Sequence, residues 1–188
     1  MHLEESKRTL MRSDLFRGLR ESYLDIILMI CEEVRYLAGE YIFREGDPGD
    51  AVYLIAQGAV EIVLEPRSDD EAQIPVAVMA PTSTFGEVTL VEEKGKRTAS
   101  ARCRADTQLV RIQRDRLLRL CRDYPQIGFQ VMHRIAAELA KKLRSSNVSI
   151  REYYLFYTPL VEDETETGFA PGSSPPAAED ITPKENTP

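Results

Sequence analysis

Histidine and cysteine are scarce in this chain, and their scarcity removes whole classes of chemistry. The two histidines, His2 and His133, stand far apart, so no cluster offers the ligand spacing of a catalytic metal site. The three cysteines, Cys31, Cys103 and Cys121, form no Cys-x-x-Cys pair. Scattered in this way they argue against a haem or iron–sulfur centre and for idle or buried thiols in a reducing compartment. No apolar run is long enough to cross a bilayer, and the N-terminal MHLEESKRTLMRSD lacks the apolar stretch of a secretory signal. A cytoplasmic protein with no membrane partner is expected. A basic surplus is missing too: the net charge is -7, and residues 158–188, with seven acids and one lysine, hold all but one unit of it. Neither part offers the basic face that binding to DNA needs. With no metal and no cofactor in prospect, an enzyme is not expected.

What is present is enough apolar content, 43% of 188 residues, for one well-cored domain with appendages. Residues 1–38 read as an N-terminal helical segment, because Leu15, Leu19, Tyr23, Ile26, Ile27, Ile30, Cys31 and Val34 recur at helical intervals between Leu15 and Leu37. From Gly39 the texture changes to short β-prone runs with glycine punctuation, REGDPGD, AVYLIAQGAVEIVLE, QIPVAVMA and ASARCRADTQLVRIQ. The AQG between AVYLI and VEIVL predicts a hairpin-type turn. Residues 39–124 thus read as a small antiparallel barrel or sandwich with a short helix at RDRLLRLCRDYP. Pro125 suits a helix start, and Met132, Ala136, Leu139, Leu143, Ser146, Ile150 and Tyr153 follow alternating steps of four and three. That pattern predicts a long dimerisation helix over 125–157. Residues 158–188, rich in proline, serine, threonine and acid, cannot offset their ordering entropy by burial and are expected to be a disordered tail.

One stretch carries the functional signal, FGEVTLVEEKGKRTASA from Phe85 to Ala101. Gly86 allows close backbone approach to a ligand, and Glu87 can accept hydrogen bonds from a sugar hydroxyl. Ten residues on, Arg97 can clamp one phosphate through paired N–H donors, with the small residues Thr98 and Ala99 beside it. Taken singly, a Phe-Gly-Glu is a common turn and an arginine a common surface charge; together at this spacing they resemble the phosphate-binding cassette of cyclic nucleotide-binding domains. The ten-residue step from Glu87 to Arg97, with Glu92, Glu93 and Gly95 inside it, is most similar to the catabolite activator (cAMP receptor) family, and the resemblance runs from about Leu15 to Asn147.

That resemblance implies a mainly β fold with flanking helices: a double-stranded β-helix, jelly-roll-like barrel followed by a long C-terminal dimerisation helix. It implies a ligand site of Gly86, Glu87, Val88, Arg97, Thr98 and Ala99, with Ser146 and Asn147 at the two positions that contact the base. Gly46, Gly49 and Gly58 match structural turn glycines. In two places the chain departs from the family pattern: Thr82 stands where a glycine is usual, and Asn147 replaces a small hydroxyl residue. The implied function is a cyclic nucleotide-binding regulatory protein for signal transduction, cAMP in preference to cGMP, switching a homodimer. Members that regulate transcription continue into a winged helix-turn-helix, for which residues 158–188 offer no pattern. An unknown effector protein is therefore expected as partner, with YYLFY at 153–157 and the acidic tail as docking candidates. The alternative is a scaffold with a vestigial pocket, which loss of Glu87 or Arg97 would have favoured.

Overall fold

The structure, a computed structural model, describes residues 3–68, 70–92 and 95–157, with side chains described between residues 5 and 144 of those spans. The chain divides into two units, Met1–Ser146 and Asn147–Pro188; the described part of the second is the helical stretch 147–157. The proline-rich tail lies outside the described residues.

Among the described residues, eight strands form two four-stranded antiparallel sheets. The strands are β1 (Cys31–Tyr36), β2 (Tyr41–Phe43), β3 (Ala51–Gln57), β4 (Val60–Leu64), β5 (Ile74–Met79), β6 (Thr84–Phe85), β7 (Ser100–Cys103) and β8 (Thr107–Gln113). One sheet has the order β1-β8-β3-β6 and the other β2-β7-β4-β5. Apart from β4 and β5, which pair with each other, consecutive strands therefore change sheets at the corners, as the jelly-roll reading requires. The hairpin expected at AQG is corrected on this point: β3 pairs with β6 and β8, β4 pairs with β5 and β7, and Gln57–Ala59 is a corner between sheets. A turn sequence specifies a reversal, and local chemistry does not say which partner the next strand will find.

Helices α1 (Leu3–Arg12), α2 (Glu21–Leu28), α3 (Arg114–Asp123) and α4 (Pro125–Tyr157) flank the barrel, and a 3₁₀ turn occupies Glu87–Leu90. The helical reading of Leu15–Leu37 holds only over Glu21–Leu28: residues 14–18 form turns, and Cys31–Tyr36 pairs along its whole length with β8. Both periods fit this run. Cys31 and Val34 continue the helical spacing, but Glu32, Val34 and Tyr36 also alternate with the exposed Glu33 and Arg35, and pairing with β8 decides between them. The N-terminal charged segment proved to be α1, whose Leu10 is fully buried.

Strand β3 explains why the molecule has two cores. All of its first five residues are buried. Val52 and Leu54 pack outward against Leu10, Phe16, Ile27, Leu117, Ile127 and Ile135 of the helical layer. Ala51, Tyr53 and Ile55 point into the barrel with Val60, Phe85, Ala101 and Leu109. Period-two alternation thus serves two apolar environments, and each large side chain so buried contributes about 1.5–3 kcal/mol.

Candidate functional site

The cassette begins at a glycine that nothing else can replace. Gly86 follows β6 with φ 75, and a Cβ there would lie 2.6 Å from Arg97 Nη1 and 3.3 Å from the carbonyl of Ala51. Left-handed backbone and close approach both demand glycine. Glu87 opens the 3₁₀ turn directly behind it and is 5% exposed.

Arg97 lies on the returning strand segment before β7 and is 3% exposed. Its Nη1 donates to the carbonyl of Gly86 at 3.3 Å, and Nη2 approaches Asp50 Oδ1 at 3.4 Å. The guanidinium carbon sits 4.0 Å over the ring of Phe43 and 5.7 Å from that of Tyr53, so the cation rests on an aromatic floor. Burial pushes its pKa down, opposed by Tyr53, Asp50 and Asp47; an arginine remains charged under such conditions. Its Nε is buried without a hydrogen-bond partner among the described residues. A buried cation with an unused donor is costly unless an anion meets it.

The carboxylate half is held differently. Glu87 Oε1 accepts from Lys142 Nζ of α4 at 2.5 Å, the glutamate side chain being 6% exposed and the lysine 52%. Glu87 and Arg97 therefore do not pair with each other. They flank one open pocket. Gly86, Glu87, Val88, Arg97, Thr98 and Ala99, all read from the sequence as site residues, line it together. The same pocket is lined by Phe43, Ile62, Met79, Phe85, Thr89, Lys96 and Lys142, which the sequence reading missed. Of these, Phe85, Thr89 and Lys96 had a usable signal, their place inside the Phe85–Ala101 stretch. The side chains of Ser146 and Asn147 lie outside those described.

The Glu87–Lys142 pair also lines a second crevice, bordered by α4 and the segment at Asp14–Leu15. Further out, Asp50 Oδ2 accepts from Arg111 at 2.7 Å, and Arg111 donates to Glu32 at 2.9 Å, so the acid beside Arg97 is anchored in the sheet. The three cysteines are free; burial pushes Cys31 up to about 12 and Cys121 up to about 11, which keeps both as thiols. Among the described residues no group of three or more His, Cys, Asp or Glu is placed to hold a metal, and no helix is long and apolar enough to cross a membrane.

Thr82 resolves one departure from the family pattern. It adopts φ 79, the left-handed conformation a glycine would take. The turn from β5 to β6 thus keeps the glycine geometry, at the expense of strain.

Comparison with known proteins agrees with this geometry. The family model described as cyclic nucleotide-binding domain matches residues 33–124. The cyclic AMP receptor protein of Thermus thermophilus is 35% identical over 138 residues, 73% of this chain and 61% of that protein. The cAMP-dependent protein kinase regulatory subunit of Emericella nidulans is 36% identical over 89 residues, 47% of this chain and 20% of that subunit. Among solved structures, that of the Thermus thermophilus catabolite activator protein superimposes with a TM-score of 0.64 at 34% identity, covering 74% of this chain and 62% of that one. The chain spans about three fifths of the length of the first relatives it matches.

Proposed function

The chain belongs to the cyclic nucleotide-binding domain family, and from that premise we propose that it is a cAMP-gated regulatory protein acting as a homodimer on a protein effector in the cytoplasm. One observation carries the ligand reading. A buried arginine whose Nε has no partner among the described residues and a buried glutamate paired there with a half-exposed lysine line the same pocket. A cyclic phosphate carries one negative charge, which Arg97 can meet through its fork. The ribose hydroxyl can donate to Glu87. Since Lys142 occupies that carboxylate in the structure, ligand and α4 compete for or share Glu87. Occupancy is thereby tied to the position of α4, and a difference in affinity between two helix positions is what a switch requires.

The base choice rests on Thr98, exposed at the pocket. Its hydroxyl can bond a guanine turned over its sugar, while Ser146 and Asn147 can accept from the adenine amine. Each such bond is worth about 0.5–1.5 kcal/mol. We place cAMP ahead of cGMP by a modest margin.

The dimer reading draws on α4. Phe129 is 73% and Leu143 63% exposed, and with the exposed Ala136 and Ala140 they form one apolar strip. The seam read from sequence is adjusted accordingly: Met132 and Leu139 pack partly against the chain's own core. Alanines in the strip allow close helix approach.

A thermal-shift screen of cyclic mononucleotides tests the function. Ligand at 100 times its dissociation constant should add about 2.7 kcal/mol of stability. No shift with any of them would reject the reading.

A further inference from the structure

Arg114 is the first residue of α3 and stands outside the pocket. Apart from an exposed contact of its Nη1 with Asp115 at 3.4 Å, its bonds to Asp50, Thr89 and Glu92 serve the pocket's frame. Its backbone N–H donates to the carbonyl of Asp50 at 2.8 Å. Its Nε donates to the carbonyl of Thr89 at 2.7 Å and its Nη2 to that of Glu92 at 3.3 Å. The Thr89 carbonyl lies at the end of the 3₁₀ turn Glu87–Leu90, where a short helix leaves acceptors unsatisfied, and that of Glu92 just beyond it. A planar fork fixed on both closes the turn in a way that a point charge cannot.

The bonds continue inward. Thr89 is 1% exposed, and its hydroxyl donates at 2.9 Å to the carbonyl of Gly86. That same carbonyl accepts from Arg97 Nη1. Gly49 presses on Thr89 from the other side, since a Cβ there would lie 2.0 Å from Thr89 Cγ2. One hydrogen-bonded series therefore runs from the candidate phosphate ligand, through Gly86 and Thr89, to the start of α3.

We propose that Arg114 is a positioning residue for the ligand site. It holds the Glu87–Glu92 segment so that the carboxylate of Glu87 and the cation of Arg97 meet opposite ends of one ligand. The proposal rests on the cyclic nucleotide reading for its binding arm and on the hydrogen-bond series alone for its dynamic arm. Holding two groups in register matters because small displacements forfeit much of an oriented interaction.

The test compares wild type with Arg114→Met, which keeps the length and removes the donors, and Arg114→Lys, which keeps one donor. In the ligand-free proteins, amide hydrogen exchange across residues 86–92 should rise in Arg114→Met while β3 and β8 stay protected. In cAMP titrations Arg114→Met should bind about tenfold more weakly or worse, mainly through faster dissociation, with Arg114→Lys between it and wild type. Unchanged exchange across 86–92, or lowered melting with unchanged affinity, would overturn the proposal. Should Arg114→Met fail to fold, Arg114→Lys alone decides by the same two readouts. If wild type itself binds no cyclic nucleotide, the site reading has failed, and hydrogen exchange still judges Arg114.

Discussion

Replacing Thr82 by glycine should stabilise the protein. The residue sits in the turn between β5 and β6 with φ 79, where an L side chain crowds its own carbonyl at about 1–2 kcal/mol. Every bond that defines the turn is made by backbone. Thr82 N donates to Ile55 O at 2.8 Å, Ser83 N to Ala80 O at 3.1 Å, and Asp14 N to Thr82 O at 3.4 Å. Glycine keeps all three. The threonine hydroxyl makes no hydrogen bond among the described residues, so little is lost with it. Against the relief stands the greater chain entropy of glycine, about 0.5–1 kcal/mol. The net expectation is about 0.5–1 kcal/mol of added stability, and at about 2–4 °C per kcal/mol for a domain of this size the melting point should rise by about 1–4 °C. Urea unfolding with an unchanged m-value would confirm that the gain is in the native state. Thr82→Asn, which tolerates the left-handed region, should fall between the two. A glycine variant no more stable than wild type would refute the strain argument.

Glu87→Gln should weaken cAMP binding by no more than about tenfold, because the amide still accepts from a hydroxyl while losing the charge; a loss as large as that of Arg97→Ala, measured by calorimetry, would mean the carboxylate does more than hold the sugar. Leu143→Asp should convert the dimer to monomer in light scattering by placing a charge in the exposed strip of α4, whereas Leu139→Asp should chiefly destabilise the fold; a wild-type monomer at tens of micromolar would rule out the strip as an interface. Thr98→Ala should lower cGMP affinity more than cAMP affinity, by up to about tenfold, and Ser146→Ala should narrow the preference for cAMP. Competition in which cGMP beats cAMP by more than about tenfold would show that Thr98 governs the base.

The cassette was legible because its parts are local. Gly86, Glu87 and Arg97 lie within twelve positions of one another, and the left-handed turn, the capped carboxylate and the fork-shaped cation each have a sequence signature. Phe43, Met79 and Lys142 were invisible for the opposite reason. They come from β2, β5 and α4 and meet only when the sheets close and the helix folds back. An aromatic in a strand or a lysine on a helix face carries no mark of what it will face. The start of β1 was misread because helical and alternating periods coincide over Cys31–Val34, and only the partner strand β8 distinguishes them. Strand pairing at Gln57–Ala59 was likewise undetermined, since a tight turn and a barrel corner use the same residues. Thr82 went the other way. It stands where the family pattern has a glycine, and with φ 79 it adopts the glycine conformation within a turn held by backbone bonds.

Calorimetric titration of cAMP into wild type and into Arg97→Ala tests the central claim most directly. Wild type should show saturable binding with one site per chain. Removing the buried guanidinium should weaken it by about 2–5 kcal/mol, or at least about thirtyfold, because its phosphate partner is left unpaired in the pocket. Equal affinity in the two proteins, or no binding by wild type, would contradict the assignment of this pocket to a cyclic nucleotide.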